Sequence, residues 1–360
     1  MLGQEVSTAT QPAGPVQPAG PPQPAHTAAE QFALREHSPL QRIQHVLHRH
    51  PAISPFLVLV LSFIVFSLIN PRLASPNSIS LILQQVAVIG ALAVGQTLII
   101  LTAGIDLSVG AITILAMMVA AKLAEGSGIP GVLAILIGIA LGVLGGLING
   151  GLVTRIGLPP FIVTLGTLSI FTALGLLYSK GQSVQGVDLP AILNWTGETF
   201  SVGRFRITTG VVLVAVLYVV VGFALANTSW GRHVYATGDD AESARLAGIR
   251  VNRVLLSVYT VAGAIYGLTA WILIGRAGAA SPNAITDANL ESITAVVIGG
   301  TSLFGGRGAV LGTLLGALIV GFFRSGLSLA GVDDQYRLLA IGVLVLAAVT
   351  IDQWIRRVKA

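Results

Sequence analysis

From residue 52 onward the chain is written as apolar stretches of 11 to 23 residues separated by polar turns, and this recurrence constrains the fold more than any single motif. A bilayer core is crossed by about 20 helical residues, so each longer stretch is a candidate span. Read in order, the stretches are 52–69, 81–101, 111–121, 131–153, 158–178, 207–226, 254–274, 290–303, 309–323 and 338–351. The reading is an all-α polytopic membrane protein of about ten transmembrane helices. With only 10% of its residues charged, against about 25% in an ordinary soluble domain, the chain has too little polar surface to cover so much apolar side chain.

Two places interrupt the pattern. Gly104, Asp106, Ser108 and Gly110 put a carboxylate and two glycines between the second and third stretches. A charged Asp at mid-bilayer costs about 2.5–3.5 kcal/mol, so Asp106 belongs at a membrane face or in a break lined by protein. A second glycine-rich interruption covers 299–308. Broken or re-entrant segments are therefore expected near 102–110 and 299–308. Elsewhere Gly138, Gly142, Gly146 and Gly150 recur every fourth residue, lining one helix face for close packing, and Gly308, Gly312 and Gly316 repeat the device. Whether the partner of the first face lies in this chain or in a second copy is open from sequence.

Residues 1–50 read as a disordered cytoplasmic tail, rich in Pro, Ala and Gln, with an amphipathic end carrying Leu40, Ile43, Val46 and Leu47. Residues 51–356 form the transmembrane domain. The absence of cysteine removes disulfides and thiolate chemistry, and no histidine cluster suggests a metal site. Neither a Ser/His/Asp arrangement nor a nucleotide-binding loop ending in Gly-Lys-Ser/Thr is present, so the chain is expected to be no enzyme and to need no cofactor. Nucleic acid is not an expected partner. Placing both termini in the cytoplasm puts 12 of the 20 Lys and Arg on that side, the direction the positive-inside rule requires. The polar island 227–253 then lies inside. Within it Asp239 or Asp240 can cap a short helix that Gly248 ends, with Ala241, Ala244, Leu246 and Ala247 as a docking face. In-span polar residues Gln84, Gln85, Gln96, Thr97, Asn149 and Thr164 are the candidates for a solute pathway. Trp271 and Arg276 read as an interfacial anchor.

Four segments in order, 101–110, 158–167, 236–249 and 291–308, resemble the permease subunit of bacterial ribose-type sugar ABC importers, a family that also handles arabinose, xylose and galactose. The resemblance implies an inner-membrane, multi-pass subunit moving a sugar or related small polar solute inward by alternating access. It implies as partners an ABC-type ATPase, a periplasmic solute-binding protein and a second permease copy or a homologous permease. It also makes the 227–253 loop the ATPase-coupling segment, through Gly238, Asp239, Asp240, Ala244, Arg245, Leu246, Ala247 and Gly248. From the residues alone an ion-coupled secondary carrier or a passive channel stays open.

Overall fold

The structure is a computed structural model that describes residues 53–126, 128–333, 335–343, 346 and 350. The expected tail, 1–50, lies outside the described residues; of the last stretch, 338–343, 346 and 350 are described and helical. Eleven helices of six residues or more are used below: α1 (Ile53–Ile69), α2 (Pro76–Leu101), α3 (Val109–Gly126), α4 (Gly131–Gly151), α5 (Pro160–Ser179), α6 (Thr209–Asn227), α7 (Ser229–Asp239), α8 (Ala241–Leu246), α9 (Val251–Ala277), α10 (Ala288–Ile298) and α11 (Val310–Leu329). Among the described residues seven are long and apolar enough to cross a membrane, and α1 and α10 are shorter apolar helices.

Local chemistry sets the boundaries. Ser75 accepts the amide of Ser78 at 3.2 Å and Pro76 occupies the first turn, so α2 starts five residues before its apolar stretch. The turn before it is tied down by Asn70, whose side chain accepts the Arg72 amide at 3.0 Å and donates to the Leu329 carbonyl at 2.8 Å. That second bond brings the α1–α2 turn to the end of α11. Edge-on ring pairs Phe63–Phe322 and Phe66–Phe323, with centroids 5.6 and 5.2 Å apart, then hold α1 against α11.

The glycine face of α4 finds its partner within the chain. A methyl group at Gly142 would overlap the Gly263 carbonyl oxygen, and one at Gly146 that of Tyr259, so α4 and α9 touch backbone to backbone. Gly312 and Gly316 do the same for α11 against Gly299 and Ala295 of the α10 region. On the opposite side α4, α5 and α6 expose Leu136, Phe161, Val219 and Phe223, as helices facing hydrocarbon do.

The connection 180–206 is more structured than its polar composition suggests. Strands β2 (Thr199–Val202) and β3 (Phe205–Thr208) form a hairpin around Gly203-Arg204, and β1 (Val184–Gln185) pairs with β4 (Ala279–Ala280). Trp271 is not a free interfacial anchor. It stacks on Trp195 at 5.7 Å and donates to the Ile192 carbonyl at 2.9 Å, pinning this connection to α9.

Candidate functional site

Both interruptions are breaks that return the chain into the bundle. After Leu101 the residues 102–108 run without helix until α3 begins, and Asp106 returns to the last turns of α2 at Gln96. Asp106 is 1% exposed there. Its Oδ1 accepts the Ser108 amide at 2.7 Å and the Ser108 hydroxyl at 2.6 Å, while Asn149 donates to Ser108 Oγ at 2.8 Å. The Gln96 amide, in the orientation its neighbours dictate, donates to the Asp106 carbonyl at 3.1 Å and accepts its amide at 3.3 Å. Protein groups thus satisfy much of this buried polar break, as hydrocarbon requires, while Asn149 Oδ1 has no hydrogen-bond partner. In the break next to α10, Gly305 and Gly306, with φ of +83° and +69°, turn the chain, and Thr301 Oγ1 is buried without a partner.

The two breaks meet twice. The first turn of α3 meets the first turn of α10, where Gly110 N–H donates to Asn289 Oδ1 at 2.9 Å. At the end of the bundle that carries α7 and α8, the Gly306 amide donates to the Leu101 carbonyl at 3.0 Å. Gly238 packs on that same carbonyl so closely that a methyl group would overlap it. Tyr235 completes the junction by donating to the Gly308 carbonyl at 2.9 Å. The end of α7 and both breaks are thus joined through backbone atoms.

Beyond the junction, Asp240 is the cap of α8. Its Oδ1 accepts the Glu242 and Ser243 amides at 2.9 and 3.1 Å, and Oδ2 accepts the Ser243 hydroxyl at 2.7 Å. The Ser243 hydroxyl, followed by the Ser243 and Glu242 amides, holds this carboxyl below its ordinary range. Gly248 ends the segment at a φ of +86°. Asp239, Asp240, Arg245, Leu246, Ala247 and Gly248 are exposed, whereas Gly238 and Ala244 face inward. Leu246, at 85% exposure, is the apolar side chain this segment offers to another molecule. Ala244 belongs to the packing of α8 and does not lie on its outer face.

The pathway set is distributed differently from its sequence reading. Thr97 donates to the Ala93 carbonyl and meets Thr313 Oγ1, both at 2.7 Å, and Thr164 donates to the Ile105 and Pro160 carbonyls at 3.0 Å. Gln96 and Asn149 join the Asp106 network, so all four make contacts within the protein, and Asn149 Oδ1 keeps an acceptor without a partner. Gln84 is half-buried. Gln85 lines an opening of about 90 Å³ together with Arg276, Asp287, Glu291 and Arg324. Glu291 and Arg324 form an ion pair across α10 and α11. Gln85 is the tenth of 26 residues in α2, about 14 Å into a helix about 39 Å long, so the opening reaches toward mid-depth. Sequence reading took Arg276 for an anchor and gave Asp287, Glu291 and Arg324 no site role, because the charges lie singly at or near stretch ends. The available signal was that Glu291 and Arg324 border apolar stretches and need partners if buried.

Comparison with known proteins gives concordant results. The sequence profile of a family described as branched-chain amino acid transport system / permease component matches residues 78–349. A fructose import permease protein of Rhizobium meliloti is 48% identical over 360 residues, covering 99% of each chain. A ribose import permease protein of Bacillus subtilis (strain 168) is 40% identical over 302 residues, 84% of this chain and 92% of its own. A D-allose transport system permease protein of Escherichia coli (strain K12) is 35% identical over 303 residues, 84% of this chain and 91% of its own.

Proposed function

Because the chain belongs to the branched-chain amino acid transport system / permease component family, we propose that it is the membrane-spanning subunit of an ATP-driven importer of a monosaccharide or related polyol. It is a multi-pass inner-membrane protein. In this reading both termini and the 227–253 loop are cytoplasmic, and the opening beside Gln85 faces the periplasm. Residues 51–356 are the transport domain. A pair of ABC-type ATPases docks from inside, a periplasmic binding protein delivers solute from outside, and a second permease copy or a homologous permease completes the pathway. The relatives carry fructose, ribose and allose in their names, which favours a sugar as cargo.

The observation that carries this reading is the α7–α8 segment: a capped helix presents Leu246 outward while its inner side is fixed to both helix breaks through Leu101. A partner pushing α8 therefore acts on the two interruptions at once. Chemical energy comes from the partner, and the permease converts that push into alternating access. Leu246→Asp combined with Ala247→Asp should abolish co-purification of the ATPase while leaving the permease inserted, since a charge on each exposed position opposes an apolar contact. Undiminished co-purification would count against docking there. Reconstituted alone, the chain should not accumulate solute under an ion gradient; accumulation would make it a secondary carrier.

A further inference from the structure

The opening at Gln85 differs from every other polar site described above, because its charged groups are shared with a cavity. Arg276 comes from α9, Glu291 from α10 and Arg324 from α11, with Asp287 just before α10. Two cations and two anions balance, so the site selects neither anions nor cations by net charge. It does present guanidinium and amide donors opposite carboxylate acceptors. A sugar hydroxyl both donates and accepts, and neighbouring hydroxyls match the fork of a guanidinium or the two oxygens of a carboxylate. Val88 and Ile89 supply an apolar wall for the C–H face of a ring.

Placement supports the same use. Glu291 is 5% exposed, and ionisable groups so deep among apolar helices mark solute paths more often than structural pairs. Replacing a buried ion pair by apolar side chains is often neutral or stabilising, so stability alone does not call for one here. Discontinuous helices whose first turns meet are a recurrent setting for transported solutes, and α3 and α10 meet immediately beside this opening. Asp287, Glu291 and Arg324 also line a second cavity of about 380 Å³ toward Gln335 and Leu338, which gives the Arg324 guanidinium room to swing off Glu291.

We propose that the cavity between α2, α9, α10 and α11 is a solute-binding station for a neutral polyhydroxylated solute, with Glu291 accepting from and Gln85, Arg276 and Arg324 donating to its hydroxyls. The assignment rests on the importer reading given above. Binding here displaces part of the Arg324–Glu291 contact by hydroxyls, so the site holds solute weakly enough to release it onward.

The chain contains no cysteine, so an introduced one is unique. In the assembled importer, permease with its ATPase in nanodiscs, Thr286→Cys, at an exposed position lining the opening, should react with a hydrophilic methanethiosulfonate ammonium reagent. Whichever of fructose, ribose and allose the assembly takes up should slow that reaction about tenfold at ten times its dissociation constant, as simple occupancy requires. Val187→Cys, 93% exposed at the same end, should keep its rate. Uptake by Gln85→Leu, and by the charge-balanced pair Glu291→Gln with Arg324→Gln, should fall about tenfold at saturating binding protein, the loss expected for one charge-assisted hydrogen bond. The ranking of the three sugars should also change, which a merely structural defect would not produce. Unprotected Thr286→Cys together with unchanged ranking in both variants overturns the station while leaving the importer intact. An assembly that forms but takes up none of the three overturns the monosaccharide reading and the station with it.

Discussion

The two ends of the bundle are closed by different materials. At the α7–α8 end, Leu101, Gly238 and Gly306 meet through backbone atoms, and no rotamer can change the contact. At the other end, Gln85, Arg276, Glu291 and Arg324 meet around open volume through long side chains. The backbone junction must move as a unit, whereas the side-chain cluster can rearrange locally. For a machine driven from one end and loaded at the other, that division is physically apt: force needs a stiff connection, and a passing solute needs a yielding one.

The largest test of this contrast is at the stiff end. Gly238→Val would drive a branched side chain into the Leu101 carbonyl, where overpacking costs about 1–3 kcal/mol or more, and uptake should be lost together with a fall in the melting temperature of the solubilised protein. A protein that melts normally and transports normally would mean that the junction yields after all. At the yielding end, Glu291→Gln alone should lower thermal stability less, because Arg324 is partly exposed and can turn to water. Equal losses at the two ends would erase the distinction. Between them, Thr97→Val removes a buried hydroxyl that bridges α2 to Thr313 of α11, an expected loss of about 1 kcal/mol measurable as a shift in unfolding midpoint.

The smallest effect concerns pH. Asp240 is held below its ordinary range in the folded protein by Ser243 and Glu242. The cap's contribution is therefore fully present above the ordinary carboxylate range and is lost as pH falls through the lowered folded-state value. Relative to the intrinsic rate at each pH, the 241–246 amides should lose protection from hydrogen exchange over that acid window, and Asp240→Ala should show the lower protection already at neutral pH. Identical exchange profiles for the two proteins would remove Asp240 as the cap.

Much of this architecture is written in local chemistry. Apolar runs located the spans to within a few residues, the fourfold glycine spacing marked a close-packed face, and Asp240 with Gly248 framed α8. Each is a short-range signal. What sequence could not supply was who faces whom: that Gly142 and Gly146 lie against α9, that Ala244 turns inward, and that Arg276, Glu291 and Arg324 converge from three helices. Those facts depend on packing between segments far apart in the chain. Polarity inside a span was also ambiguous, because Gln96, Thr97, Asn149 and Thr164 satisfy backbone and neighbouring side chains as readily as they would a solute.

The bare contact between α4 and α9 limits how the helices can travel. Even a slide of about 1.5 Å would shift Gly142 and Gly146 from beneath the Gly263 and Tyr259 carbonyl oxygens that they admit. The register of glycine and carbonyl therefore opposes translation along that seam in both directions, like a key held at one notch. Only a pivot leaves the glycines under the carbonyls, so whatever swings in this molecule should carry α4 and α9 together as a single lever.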